Sequence, residues 1–315
     1  MKANIPSLTY KSGYLQLDNL HKIYYELSGN PRGQPIIFIH GGPGGGFTEK
    51  DKRYFNPKLF NIIHYDQRGA GKSKPFASLT DNTTQNLISD ITLLLNTLGI
   101  KKTMMFGGSW GSTLSLCYAI KNPERVSALI LRGIFLASKK ENNYFTYEAR
   151  NIYPEAWEKL AKLVPKKEIE KRKIEQYYYK KIKSKNIKTR HKYTLAWARY
   201  EGSISKLIYS KEKITQFLKE VKPDVFSTIE LHYLNHFCFL PKNYILKNSY
   251  RIKNIPCSII HGRYDCVCSP SAAYALHKAL PKSKLFFTLA GHSSSDKENE
   301  KLLIGETNRL ANLIN

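Results

Sequence analysis

Four short apolar runs in the first 136 residues each stop at a turn, and the longer intervals between them carry helical spacing. The runs span residues 36–40 (IIFIH), 61–66 (NIIHYD), 104–107 and 128–132 (ALILR). Gly41-Gly42-Pro43-Gly44-Gly45-Gly46 follows the first, and Gln67-Arg68-Gly69-Ala70-Gly71 the second. Before the third run, Leu87, Ile91, Leu94, Leu95 and Leu98 recur on one helical face. After it, a helix is expected from Ser109 to Asn122, where Pro123 stops it. Strands buried on both faces read as continuous apolar runs, and parallel neighbours need a crossover long enough for a helix. The pattern predicts an α/β fold built on a mostly parallel central sheet flanked by helices, with its chemistry at the carboxyl ends of the strands.

Residues 137–245 follow another rule. Apolar residues fall at helical spacing, as in Trp157, Leu160, Ala161 and Val164, or Tyr193, Ala196, Trp197 and Tyr200, and β-type runs are missing. This stretch reads as an inserted all-helical cap between two parts of one core, 1–136 and 246–315. The second part holds two further strands, at 257–261 and 285–289, a helix at 272–280 between them, and a helical tail at 302–313. With 315 residues, 42% of them hydrophobic, the chain can bury a core of that size.

Composition narrows the class. No apolar run reaches the ~18 residues of a membrane span, and the opening MKANIPSLTYKSGY has no apolar stretch of a secretory leader. The five cysteines are an odd number without a disulfide framework, which points to reduced thiols in the cytoplasm. Cys266 and Cys268 lack the second pair a zinc site needs, so no metal and no cofactor is expected. The formal net charge is +25. Part of it is local, with fourteen Lys and Arg against three Glu between 159 and 192. Such a surface could hold nucleic acid. The basic residues recur at helical spacing without a helix-turn-helix, zinc-finger or RNA-binding signature, which favours a solvated helical face.

Gly107-Gly108-Ser109-Trp110-Gly111 is a G-x-S-x-G between an expected strand and an expected helix, the setting in which that motif lifts a serine above a sheet as a nucleophile. A serine hydroxyl needs a base, and the base needs a group to orient it. In this architecture the acid and then the histidine follow the serine along the chain. Asp265 ends CSIIHGRYD and His292 ends LFFTLAGH, each just past a late strand. Asp296 is a competing acid, but it follows His292 and breaks the order. The oxyanion of an acyl transfer would be held by backbone N–H groups. Trp110, directly after the nucleophile, would supply one and the glycine loop after residue 40 the other. Pro43 has no N–H, and Gly42 is the chosen donor.

HGGPGGG at 40–46, DQRGAGKS at 66–73, GGSWGSTLSL at 107–116, LRGIF at 131–135, HGRYD at 261–265 and AGHS at 290–293 together resemble the proline iminopeptidase (prolyl aminopeptidase) family. These are serine peptidases of the α/β-hydrolase fold with a helical cap. The resemblance runs from Tyr14 to the C-terminal helix, and it implies metal-free release of an N-terminal proline from peptides. It also implies that Glu201, which follows Trp197 at helical spacing, and Glu230 bind the substrate's amine. A protonated proline nitrogen offers two N–H donors, which two carboxylates can satisfy. A surface or cap-stabilising carboxylate is the alternative for each. The resemblance further places Phe135 and Cys268 around the proline ring, although both could be core residues. Arg132 would hold a nearby carboxylate. Two departures from the family pattern stand out. Ser294-Ser295-Asp296 replaces an Ala-aromatic-acidic stretch after His292, which would change access for the leaving group. The cap is unusually basic, which would favour acidic or carboxylate-ended peptides.

The expected activity is thus a serine aminopeptidase acting through a prolyl-enzyme. Its first alternative is a carboxylesterase or amidase on the same core, which has no need of paired cap carboxylates. Its second is a basic nucleic-acid-binding protein on an inactive hydrolase scaffold, against which the intact Ser109, Asp265 and His292 speak.

Overall fold

In the computed structural model, which describes residues 9–208 and 210–314, eight strands form one sheet in the order β1-β2-β4-β3-β5-β6-β7-β8. They are β1 (Thr9–Gln16), β2 (Lys22–Gly29), β3 (Gln34–Ile39), β4 (Phe60–Tyr65), β5 (Thr103–Gly108), β6 (Val126–Arg132), β7 (Cys257–Gly262) and β8 (Ser283–Thr288). The neighbours from β4 to β8 are parallel, while β1 with β2 and β2 with β4 are antiparallel. The first eight residues, part of the opening read above as lacking a leader's apolar stretch, lie outside the described residues.

The six strands expected from apolar runs are β3 to β8. The hairpin β1–β2 was not anticipated. Five of the eight β1 residues are exposed, as suits an edge strand, so it has no continuous apolar run to reveal it.

The alternation of side chains divides the core between the two faces of the sheet. Ile37, Ile39, Met105, Leu129, Leu131 and Ile259 pack with Leu87, Ile91 and Leu94 of helix α1 (Thr84–Thr97) and Leu114 and Tyr118 of α2 (Trp110–Lys121). Their neighbours Ile36, Phe38, Met104, Phe106, Ile130 and Ile260 pack with Leu303 and Leu310 of the last helix. Thr83 caps α1 by accepting from the Asn86 N–H. α2 is buried along eleven successive residues, Trp110 to Ile120, so it is a core helix with no polar face.

Between β6 and β7 the described residues form no strand. Eight helices occupy the interval: α3 (Lys139–Thr146), α4 (Pro154–Ala161), α5 (Lys166–Glu170), α6 (Ile174–Ile182), α7 (Ile187–Ile204), α8 (Lys211–Val221), α9 (Pro223–Asn235) and α10 (Tyr244–Asn248). They gather an apolar cluster of their own around Phe145, Ile174, Tyr178, Trp197, Tyr200 and Leu231. α11 (Pro270–Ala279) joins β7 to β8, and α12 (Lys297–Ile314) ends the described chain.

One feature of the strand order positions the site. The chain lays down β3 and β4, then returns to place β5 on the other side of β3. The carboxyl ends of β3 and β5 therefore flank a topological switch point, where open α/β sheets leave a crevice.

Candidate active site

Ser109 sits in that crevice between β5 and α2 with φ +58° and ψ −127°, a conformation a serine adopts only when its surroundings force it. Its N–H donates to the Arg132 carbonyl (2.8 Å), and its own carbonyl accepts from the Ser112 N–H (2.8 Å) to begin the helix. The flanking glycines are required by close approach. A Cβ on Gly107 would lie 2.2 Å from the Gly111 carbonyl oxygen, and one on Gly111 would lie 2.1 Å from that of Ile39. The loop after β3 touches the same turn, since a Cβ on Gly41 would come within 3.4 Å of Ser109 Cβ.

His292 and Asp265 meet at the ends of β8 and β7. His292 Nδ1 is 2.8 Å from Asp265 Oδ2, and both residues are buried. Asp265 Oδ1 accepts from the N–H groups of Val267 (2.9 Å) and Cys268 (2.7 Å), which fixes the carboxylate plane. Burial drives the Asp265 pKa up, but the charge and hydrogen bond of His292 outweigh it, and the group stays below the ordinary aspartate value. His292 lies below the ordinary histidine value. Burial pushes it down, Asp265 pulls it back, and Arg132 adds to the lowering. Asp265 alone would raise this pKa, but the sum lies below the ordinary value.

Arg132, expected to hold a nearby carboxylate, acts on the charge of Glu201 and makes its hydrogen bonds to His292. Its Nη1 lies 3.1 Å from His292 Nε2 and donates to the His292 carbonyl (2.8 Å). Among the described residues the neighbour of Nε2 is this guanidinium and not Ser109 Oγ. The signal was in the sheet register, where Arg132 pairs with Gly108 beside the nucleophile.

Gly42 and Trp110 stand on the two segments that flank Ser109. Gly42 lies in the loop after β3 and lines the cavity above Ser109. The Trp110 N–H belongs to the first turn of α2, whose donors have no partner within the helix. A chain of hydrogen bonds ties the two segments: the Gln67 N–H donates to His40 Nε2 (2.9 Å), Gln67 Nε2 donates to the His40 carbonyl (2.9 Å), and Trp110 Nε1 donates to Gln67 Oε1 (2.8 Å). The three glycine-rich motifs therefore form one contact set, which spacing along the chain could not show.

From the helices between β6 and β7, α7 and α9 bring Glu201 and Glu230 side by side. Both are buried, and each carboxyl lies close enough to shift the protonation of the other. Trp197 Nε1 donates to Glu230 Oε2 (2.6 Å), while Glu201 Oε2 has no partner among the described residues. Burial pushes both pKa values up. The charge of Glu201 raises Glu230 further, and Arg132 holds Glu201 back. Two carboxyls brought together in a dry site resist carrying two charges at once.

Ser109, Arg132, Glu201 and His292 line one open cavity of about 930 Å3. Glu230, Phe135 and Cys268 do not line it. Phe135 is partly buried between the core and the helical cluster, and Cys268 is buried with its N–H on Asp265. Among the described residues no group of three or more His, Cys, Asp or Glu side chains could hold a metal ion.

A serine on a strained strand-to-helix turn, with a His–Asp pair beyond the last strands of a mostly parallel sheet, defines a hydrolase of the α/β type. Residues 34–298 match the profile of the alpha/beta hydrolase fold. Solved structures agree on the fold. An esterase from Exiguobacterium antarcticum has a TM-score of 0.66 at 19% identity, over 95% of this chain and 99% of that one. The proline iminopeptidase of Mycobacterium smegmatis has 0.61 at 17%, over 95% and 97%. Sequence similarity is narrower. A probable proline iminopeptidase of Leptolyngbya boryana is 44% identical over 95% of this chain and 94% of its own, and a proline iminopeptidase of Arabidopsis thaliana is 40% identical over 92% and 77%. The chain belongs to the proline iminopeptidase family.

Proposed function

We propose that this protein is a serine aminopeptidase that releases N-terminal proline from peptides. The observation that carries the reading is the buried Glu201–Glu230 pair within reach of the cavity that Ser109 and His292 line. An esterase pocket has no use for two buried carboxyls, whose mutual repulsion and desolvation cost stability. A substrate carrying a cationic amine with two N–H groups repays that cost. Residues 137–245 act in this reading as a cap that delivers the pair, and residues 1–136 and 246–315 as the core that holds the reacting groups.

The proline nitrogen enters between Glu201 and Glu230 and displaces their shared proton. Its carbonyl carbon then faces Ser109 Oγ. His292 donates its Nδ1 hydrogen to Asp265, which leaves the Nε2 lone pair as the acceptor; Arg132 occupies that lone pair in the free protein. Ser109 Oγ–H takes the place of Arg132 there and loses its proton to His292 as it attacks. The N–H groups of Trp110 and Gly42 hold the oxyanion. His292 gives the proton to the leaving amine, and Asp265 stabilises the transient imidazolium without taking the proton. Water, activated by His292, then hydrolyses the prolyl-enzyme. The five cysteines, all free and buried, suit a reducing compartment, and we assign the cytoplasm.

The test is a panel of aminoacyl amides with purified protein. Proline amide should be cleaved, N-acetyl-proline amide refused, and Ser109→Ala should fold normally yet lose nearly all turnover. Equal cleavage of free and acetylated proline amides would replace this reading with an amidase or esterase.

A further inference from the structure

Lys206 lies two residues past the end of α7, in the wall of the cavity that Ser109 and His292 share. Its ammonium reaches from the helical segment to the loop after β8, where Nζ donates to Ser293 Oγ (3.2 Å) and Ser295 Oγ (2.6 Å). Ser293 directly follows His292, and its N–H donates to the Ser205 carbonyl (2.8 Å), so the two segments are fastened beside the base. Ser295 belongs to the stretch where this chain departs from the pattern of its family, and Ser293 closes the motif before it.

The ammonium has hydroxyl partners but no neutralising one. Among the described residues no carboxylate lies within ion-pair distance of Lys206. Asp296 is the nearest acid in effect, yet its Oδ2 is engaged by the Gly291 N–H (2.9 Å) and approached by the Leu207 N–H (3.4 Å). Of the other cations in the same cavity, Lys50 pairs with Glu220 and Arg53 with Glu300, while Arg132 and Lys297 have no ion pair among the described residues. Lys213, from α8, lines the same cavity and adds to the positive field at Lys206 without an acid partner among the described residues. Burial holds the Lys206 pKa below the usual lysine value, with Asp296 acting against it. An ammonium has three hydrogens, and two are used by the serines. The third, and the whole of the charge, are left for a ligand.

We propose that the Lys206 ammonium receives the terminal carboxylate of the leaving peptide, which makes dipeptides and tripeptides with a free C-terminus the preferred substrates. The inference rests on the aminopeptidase reading. In that reading the leaving amine departs from beside His292, one residue from the serines that aim Lys206. A chain of one or two residues carries its carboxylate only a few ångströms beyond that amine, and a longer peptide carries it out of the cavity.

The experiment compares kcat/KM for Pro-Gly and Pro-Gly-Gly with their C-terminal amides, each divided by the same enzyme's rate on a proline anilide. For a half-buried, hydrogen-bonded charge pair the free acids should lead their amides by roughly three- to tenfold. The lead should shrink as salt is raised. Lys206→Met should bring the ratio to about one, and Lys206→Arg should keep most of it. Dividing by the anilide rate cancels any general damage to the site. A wild-type ratio near one, or a lead that survives in Lys206→Met, overturns the proposal while leaving the aminopeptidase reading intact. Failure to cleave the anilide and every proline peptide overturns both.

Discussion

The two acid–base centres in the cavity are shifted in opposite directions, and that separates them experimentally. In the proposed mechanism His292 must be neutral to accept the Ser109 proton, so activity should be lost as pH falls through its pKa, which lies below the ordinary value near 6.5. The Glu201–Glu230 pair must carry its charge to hold a cationic amine, so binding is lost as pH falls through a pKa raised above the usual 4.5. For a free-amine substrate the acid limb of kcat/KM should therefore lie at higher pH than for a small neutral ester, which needs only Ser109 and His292. Coincident limbs would show that the pair plays no part in binding. Glu201→Gln should cost the amine substrate roughly 1.5–3 kcal/mol, the range for a hydrogen bond to a charged group, and leave the ester limb in place. At this scale the sequence was informative about identity and silent about contact. Ser109, Asp265 and His292 could be named from order and setting. The guanidinium on Nε2 could not, because Arg132 and His292 are 160 positions apart and meet only through the parallel pairing of β5 to β8.

Among the elements, the joint between β5 and α2 is the least tolerant. Gly111 is inside a helix, where glycine is ordinarily a cost of about 1 kcal/mol relative to alanine. Here alanine would set a methyl carbon 2.1 Å from the backbone oxygen of Ile39, which cannot yield without moving β3. Gly111→Ala should lower stability by about 2–4 kcal/mol in urea unfolding and should depress kcat by displacing the oxyanion loop. Gly305, in α12, is the control: a Cβ there meets nothing within 4 Å, so Gly305→Ala should be neutral or stabilising by up to about 1 kcal/mol. Equal effects would deny the elbow its special packing. The strands β3 to β8 were legible because burial on both faces makes them uniformly apolar. β1 was not, because only one face of an edge strand meets the core. Helical spacing gave the helices between β6 and β7, but the meeting of α7 with α9 that pairs the two glutamates depends on tertiary packing around Trp197 and Tyr200.

Across the whole molecule the dominant electrostatic fact is a net charge of +25 on 315 residues. Self-repulsion at that level opposes compaction, and added salt screens it over a Debye length of about 10 Å at 0.1 M. The melting temperature should therefore rise between 10 and 200 mM sodium chloride, by about 2 °C for each kcal/mol of repulsion relieved in a chain of this size. A melting temperature that falls instead would mean that pairs such as Arg68 with Asp90, a buried bidentate contact of 2.6 and 2.8 Å, outweigh the overall charge. Composition made the excess obvious from the outset. It could not reveal that the excess reaches the cavity mouth, where Lys206 and Lys213 stand without acid partners among the described residues.

In the proposed reaction the proton shared by Glu201 and Glu230 also bears on how a turnover ends. Free proline, once released from Ser109, keeps the same ring nitrogen that brought the substrate in, so the site that captures the reactant also retains the product. A proton returning to the two carboxyls removes the charge that retains it. Solvent protons and proline thus compete for one berth. Product lingers most in alkaline solution and leaves most readily toward neutrality, and the burial that makes the pair slow to hold two charges is what clears the enzyme for its next peptide.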